Sequence, residues 1–190
     1  MSDAVTEKPG PHVRRWLNPA NAVTGLRLVM APACAWAIGT DASGVALTLF
    51  CLAVVSDFAD GPLARRRGEA SPLGGLLDHA TDATFVTLGL AALSARGDVP
   101  WLLPCLVALA FVQYTLDSRA LRGRNLRASA LGRWNGIAYF VLLGIPVVRD
   151  GLALPWPGDG LIRLLAWALV VSTLLSIANR LNALLRPGSS

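Results

Sequence analysis

Four aspartates interrupt an apolar part of the chain at regular intervals. Asp57 and Asp60 are three residues apart, and Asp78 and Asp82 are four residues apart. On α-helices each spacing places the two carboxylates of a pair on one face. Ionised carboxylates in an apolar environment repel each other and are costly to bury, and hard cations such as Mg²⁺ or Mn²⁺ prefer carboxylate oxygen. The pattern therefore predicts that these four residues hold two divalent cations.

Small residues and an arginine accompany the acids. Gly61 and Ala64 follow the first acidic pair on the same face, and Gly74 precedes the second pair. Small residues permit close helix packing, but beside a metal site they also leave room for a ligand. Arg65 comes at the end of the same segment, and its guanidinium is suited to phosphate. Together these features indicate phosphoryl or phosphodiester chemistry on a phosphorylated lipid with a water-soluble head.

The composition predicts that the chain is an all-α integral membrane protein, so membrane helices should carry these residues. Of 190 residues, 54% are hydrophobic and 15% are charged, against about 25% charged in soluble domains. Six apolar segments approach the roughly 20 residues that a membrane span needs. They cover residues 21–40, 45–65, 72–94, 100–118, 131–148 and 160–182. The connection between the second and third segments is short, so the two acidic helices should be antiparallel neighbours.

The basic residues predict the orientation of these spans. Thirteen fall in the N-terminal tail, after segments two and six, or between segment four and the start of segment five, whereas Arg96, Arg149 and Arg163 fall on the other side. This asymmetry places both termini, and the open side of the acidic site, in the cytoplasm. The net charge of +5 is then explained by loops that face anionic lipid, and no nucleic-acid partner is expected.

The expected domain organisation is simple. Residues 1–19 form a cytoplasmic basic tail, either with a short interfacial helix around Trp16 or without one. Residues 20–186 form one six-helix domain, and residues 187–190 form a short tail. The protein should be a multi-pass protein of the cytoplasmic membrane.

The acidic segment resembles the motif of the CDP-alcohol phosphatidyltransferase family. The order D-x2-D-G-x2-A-R-x8-G-x3-D-x3-D, from Asp57 to Asp82, matches that motif at every fixed position. The resemblance implies a six-span enzyme of phospholipid biosynthesis that uses Mg²⁺ or Mn²⁺. In the implied reaction the hydroxyl of an alcohol attacks the lipid-side phosphorus of CDP-diacylglycerol, and CMP leaves.

The resemblance also implies a role for each motif residue. Asp57, Asp60 and Asp78 would hold the two metals, and Asp82 would act as the general base and also contact a metal. The CDP pocket would be lined by four residues, Gly61, Ala64, Arg65 and Gly74. A carboxylate at hydrogen-bond distance from the attacking hydroxyl, and cationic groups at the leaving phosphates, agree with this chemistry.

Two further patches resemble the phosphatidylglycerophosphate and cardiolipin synthase branch of the family. The first, "NPANAVTGLR", places Asn21, Thr24 and Arg27 on one face, where the first two could reach the nucleotide and Arg27 the acceptor. These residues could instead close a helix end. The second, "LGRWNG", contains Arg133, which with Arg119 could hold an anionic acceptor or only follow the charge bias of cytoplasmic loops.

The acceptor alcohol is not fixed by these patterns. Ala83 follows the fourth aspartate, where family members that use glycerol phosphate commonly carry lysine. Glycerol 3-phosphate is favoured, while inositol phosphate, other polyols and phosphatidylglycerol stay open. A metal-dependent membrane phosphatase and a cation transporter with intramembrane acids are the alternatives from other classes, and the apolar spans are compatible with a homodimer.

Overall fold

Six helices account for nearly all of the described chain. The computed structural model describes the backbone of residues 19–66, 72–117 and 130–185, and the side chains of residues 25–57, 74–116 and 130–182. These parts contain no β-strand. The helices are α1 (Pro19–Gly39), α2 (Ser43–Arg66), α3 (Pro72–Arg96), α4 (Leu102–Asp117), α5 (Ala130–Gly151) and α6 (Asp159–Leu185). Each coincides closely with one predicted apolar segment, so the all-α prediction is confirmed.

The odd-numbered helices end in the same kind of tight turn. After α3, the Gly97 N–H donates to the Ser94 carbonyl and the Asp98 N–H to the Leu93 carbonyl, both at 3.0 Å. This pair of bonds caps a helix whose next residue is left-handed, and Gly97 has a φ of 84°. The other two turns have non-glycine residues in this conformation, Asp41 after α1 and Ala153 after α5. These three turns lie at one end of the bundle, which we call the outer end.

Charged side chains connect these turns in what we call the outer network. Arg96, in the last turn of α3, lies 3.3 Å from Asp41, 3.1 Å from Asp98 and 2.8 Å from Asp150. Arg149, in the last turn of α5, lies 2.8 Å from Asp150 and 2.6 Å from Asp159. Arginines near helix C-termini also interact favourably with the helix dipole. The network thus ties together the ends of α1, α3 and α5 and the start of α6.

The core is centred on α3, which packs against α1, α4 and α5. The Phe85 ring of α3 stacks on Phe140 of α5, with centroids 6.2 Å apart, and lies 6.4 Å from Phe50 of α2. α2 and α3 both pack against α1, and in the described residues they meet each other through side chains such as this ring pair. They are therefore not the closely packed neighbours that the short connection predicted. Close approach of α5 to α2 depends on Gly144, because a Cβ atom there would lie 2.8 Å from the Phe50 ring.

Two of the described helical segments are long and apolar enough to cross a membrane, Ala130–Gly151 and Asp159–Asn182. Shorter apolar helical stretches cover Gly25–Gly39, Ser43–Asp57 and Leu102–Leu116. Large apolar side chains are exposed on these helices, among them Trp36, Trp134 and Trp167. An exposed apolar surface of this extent is typical of a helix bundle that contacts lipid.

Candidate active site

Three of the predicted metal ligands converge on one arginine. Arg27 of α1 is only 1% exposed, and its Nη2 lies 3.1 Å from Asp57 Oδ1 of α2. Its Nη1 lies 3.3 Å from Asp78 Oδ1 and 2.5 Å from Asp82 Oδ1, both on α3. A planar guanidinium with several donors can engage separate carboxylates in this way. Arg27 therefore joins three helices at the acidic site.

The same carboxylates form a donor set that fits a divalent cation. Asp57, Asp78 and Asp82 each offer an oxygen, and these oxygens all lie within 4.8 Å of one another. The carboxylates are more exposed than Arg27, at 49%, 43% and 24%, respectively. An oxygen-only set that opens to solvent on one side suits Mg²⁺ or Mn²⁺, which usually keep water or substrate ligands as well. We call these three residues and Arg27 the acidic site.

A cavity of about 520 Å³ adjoins the acidic site, and Asp57 and Asp82 form part of its wall. The rest of the wall comes from α3, α4, α5 and α6. Apolar side chains such as Val86, Phe111 and Phe140 form one part of it. Side chains that carry or can carry positive charge form another part: His79, Arg133 and Arg180. The cavity can therefore receive a molecule that combines an apolar part with an anionic group.

Hydrogen bonds fix the α5–α6 wall of this cavity. The Ser172 hydroxyl donates to Asn135 Oδ1 at 2.6 Å. Thr173 Oγ1 donates to the Leu169 carbonyl and lies 2.6 Å from the Tyr139 hydroxyl. Because a threonine hydroxyl has a single proton, the Tyr139 hydroxyl must be the donor to Thr173. These buried polar groups hold α5 and α6 in one register behind the cavity.

A second set of contacts joins α3, α4 and α6 at the cavity. The Tyr114 ring of α4 has its centroid 5.0 Å from that of His79 on α3. The Arg180 guanidinium carbon of α6 lies 5.1 Å from the Tyr114 ring centroid. Beside it, Gln113 Nε2 donates to the Ile177 carbonyl of α6 at 3.3 Å. The cation–π contact and this hydrogen bond hold the end of α4 against α6.

The structure brings together only some of the residues predicted from the sequence. Asp57, Asp78, Asp82 and Arg27 meet, Gly74 lies one turn before Asp78 on α3, and Arg133 lines the cavity. For six further residues the backbone is helical but the side chains lie outside the described part: Asn21, Thr24, Asp60, Gly61, Ala64 and Arg65. Arg119 and residues 1–18 of the predicted N-terminal tail, which include the predicted interfacial helix around Trp16, lie outside the described residues. The roles predicted for these residues remain predictions.

Sequence reasoning missed Tyr114, and it treated Arg180 only as one of the cytoplasmic charges. The available signal was weak, because a single polar pair, Gln113 and Tyr114, near the end of an apolar helix is also typical of a membrane interface. For Arg27 the sequence predicted an acceptor contact. The structure instead shows contacts with three carboxylates, and a contact with an acceptor remains a prediction.

Known proteins place this site in context. The family model described as CDP-alcohol phosphatidyltransferase matches residues 17–178. A CDP-diacylglycerol–glycerol-3-phosphate 3-phosphatidyltransferase of Cereibacter sphaeroides is 34% identical over 72% of this chain and 66% of its own length. A probable phosphatidylglycerophosphate synthase of Mycobacterium tuberculosis is 37% identical over 70% of this chain and 68% of its own.

A third relative, which is named as a different kind of enzyme, matches a smaller part of the chain. The CMP-forming cardiolipin synthase of Streptomyces coelicolor is 38% identical over 50% of this chain and 47% of its own length. No solved structure matches the chain. The family match covers the acidic site, its motif and the whole cavity wall described above except Arg180. The chain spans about two thirds of the length of the first two relatives. On this evidence the chain belongs to the CDP-alcohol phosphatidyltransferase family.

Proposed function

We propose that this enzyme transfers the phosphatidyl group of CDP-diacylglycerol to the hydroxyl of a small alcohol and releases CMP, with glycerol 3-phosphate as the favoured acceptor. The observation that carries the proposal is the convergence of Asp57, Asp78 and Asp82 at the wall of a cavity. Two relatives are named for transfer to glycerol 3-phosphate or for synthesis of phosphatidylglycerophosphate. Inositol phosphate, other polyols and phosphatidylglycerol are the competing acceptors.

The acids would bind the cations, and the residues near them would bind the CDP part of the substrate. Asp57, Asp60 and Asp78 would hold two divalent cations, Mg²⁺ or Mn²⁺, and Asp82 would also contact a metal. When bound, the cations supply positive charge that offsets the charge on the substrate phosphates. Their fit is supported by the oxygen-only donor set of the three described acids. On the chain itself, the CDP moiety is bound by six residues, Asn21, Thr24, Gly61, Ala64, Arg65 and Gly74.

Asp82 is the residue that we assign to proton transfer. It is the least exposed of the three described carboxylates and lines the cavity. As the acceptor hydroxyl forms its bond to the lipid-side phosphorus, Asp82 takes the hydroxyl proton, and the bond between that phosphorus and the CMP oxygen breaks. Arg27 fixes the position of Asp82 through its contact with Oδ1. Arg133 also lines the cavity and would face the anionic group of the acceptor, with Arg119 as a further candidate.

The placement in the membrane is part of the proposal. With a rise of about 1.5 Å per residue, helices of 16 to 27 residues extend about 24 to 40 Å, comparable to the hydrocarbon thickness. All six helices would then span the cytoplasmic membrane. Arg133 and Arg180 lie at the end of the bundle that holds the acidic site, the end richer in arginine, which supports a cytoplasmic site and cytoplasmic termini.

The test is CMP release from CDP-diacylglycerol by the purified full-length protein with Mg²⁺ or Mn²⁺. The panel of acceptors contains glycerol 3-phosphate, inositol phosphate, inositol and phosphatidylglycerol, and a reaction without acceptor measures hydrolysis. We expect CMP and a matching phosphodiester lipid with glycerol 3-phosphate, and loss of both on chelation with EDTA. CMP release that does not depend on any acceptor would identify a hydrolase instead, and activity that survives EDTA would contradict the metal assignment.

A further inference from the structure

Tyr114 occupies an unusual position at the cavity. It is 8% exposed and lies near the end of α4, yet it contacts side chains of two other helices that line the same cavity. One is His79, which follows Asp78 along α3, and the other is Arg180 of α6. The family model match ends at residue 178, before Arg180. None of the residues in this group belongs to the acidic motif.

The contact with Arg180 restricts a long and flexible side chain. A guanidinium within about 6 Å of a tyrosine ring centroid is attracted to the ring face, and here the separation is 5.1 Å. An unrestrained arginine loses considerable rotamer entropy when it binds an anion, and a side chain that is already held loses less. The neighbouring bond from Gln113 to the Ile177 carbonyl fixes the separation of α4 and α6 at this level. Tyr114 thus holds Arg180 before a ligand arrives.

We propose that Tyr114 is a positioning residue. Its ring holds Arg180 at the cavity wall, where the guanidinium meets the anionic group of the acceptor, a polyol phosphate. This inference rests on the proposed function, because it assumes that the acceptor enters the cavity with its hydroxyl towards Asp82. The His79 ring supports Tyr114 from α3, the helix that carries Asp82. The aromatic ring, and not the phenolic hydroxyl, is the part of Tyr114 that does this.

The decisive experiment compares Tyr114→Leu with Tyr114→Phe in the full-length enzyme. We expect Tyr114→Leu to raise the KM for glycerol 3-phosphate by roughly tenfold, with the KM for CDP-diacylglycerol and kcat changed by less than about twofold. Tyr114→Phe should behave like the wild type because it keeps the ring face. Equal increases in both KM values, or a Tyr114→Phe enzyme as impaired as Tyr114→Leu, would overturn the proposal.

A double-mutant cycle with Arg180→Gln tests whether Tyr114 acts through Arg180. The double variant should have about the same KM for glycerol 3-phosphate as Arg180→Gln alone, because the ring then has no guanidinium to hold. Additive effects would contradict the inference while leaving the proposed function intact. A wild-type enzyme that releases no CMP with any acceptor would refute the proposed function, and this inference with it. The thermal unfolding midpoint of each variant shows whether it is folded.

Discussion

The acidic site and the outer network use the same residue types in opposite arrangements. In the outer network two arginines alternate with four aspartates, so that every described carboxylate has an arginine within 3.3 Å. In the acidic site three carboxylates from two helices converge on one buried arginine, with their oxygens within 4.8 Å of one another. Both sets contain two more aspartates than arginines. In the outer network this excess of negative charge is spread along the ion pairs, whereas in the acidic site it is concentrated where three carboxylate oxygens meet.

The two arrangements also differ in what surrounds them. The outer network joins three helix ends and the turns that follow them, and its arginines lie where the helix dipoles favour positive charge. The acidic site lies within helices and opens into a cavity of about 520 Å³. Only the second arrangement offers oxygen ligands together with space for a substrate. The comparison indicates that the geometry of the charges, and not their number, separates a structural cluster from a candidate catalytic site.

The largest expected difference between the two regions is in catalysis. Asp82→Asn removes the carboxylate to which we assign proton transfer, and we expect kcat to fall by about 10³-fold. Asp150→Asn makes the same chemical change in the outer network and should leave kcat within about twofold. CMP release measured for both variants checks this, with Mn²⁺ binding as a control for the site. Comparable losses in the two variants would remove the distinction, and an active Asp82→Asn enzyme would exclude Asp82 as the base.

The second difference concerns how each region responds to a divalent cation. Arg27→Gln leaves three close carboxylates without their arginine, and breaking such a partly buried set costs about 3 kcal/mol, or roughly 6–12 °C in the unfolding midpoint. Added Mg²⁺ should restore much of this loss, because the cation binds the same oxygens.

Arg149→Gln is the matched control for Arg27→Gln. It removes an arginine that pairs with two aspartates, whereas Arg27 pairs with three. Because the two carboxylates in the outer network do not converge on one point, we expect no recovery with Mg²⁺. Thermal unfolding of both variants in EDTA and in Mg²⁺ makes the comparison. Equal recovery in the two variants would show that the acidic site has no special affinity for the cation.

The helices and the acids could be predicted from the sequence because both depend on local spacing. Apolar runs of sufficient length predict α1 to α6, and the intervals from Asp57 to Asp60 and from Asp78 to Asp82 predict which carboxylates share a helix face. The partner of these acids could not be predicted in the same way. Arg27 lies 30 residues before Asp57 in the sequence, and its contacts depend on how α1 packs against α2 and α3.

The cavity wall was harder to predict for the same reason. Tyr114 and Arg180 come from α4 and α6, and neither has a neighbour in sequence that marks it as part of a site. Arg180 follows the rule for cytoplasmic charge equally well. Likewise, the outer network depends on three chain turns that meet in space. The sequence predicts that its two arginines lie on the side opposite the acids, and in the structure they lie at the outer end of the bundle. Contacts between distant helices are the part of the fold that spacing does not encode.

The smallest expected effect distinguishes two aspartates within the outer network. Asp150 accepts hydrogen bonds from Arg149 and Arg96, each at 2.8 Å, and a carboxylate accepts such bonds most strongly when it is ionised. For Asp98, burial raises the pKa despite the opposing effect of Arg96. Ionised Asp150 therefore contributes stability at pH 7, and this contribution is lost when acid protonates the carboxylate. Asp98 has the opposite linkage, since the folded protein binds its proton more readily than the unfolded chain does.

The unfolding midpoint as a function of pH tests this distinction. Asp150→Asn should lower the midpoint by a few degrees at pH 7, on the order of 1 kcal/mol for exposed or partly buried pairs, and the difference from the wild type should shrink towards pH 3. For Asp98→Asn the difference from the wild type should not shrink on acidification, because protonation of Asp98 favours the folded wild type. If both variants converge with the wild type at low pH, the two carboxylates are equivalent, and the outer network acts as a set of ordinary surface ion pairs.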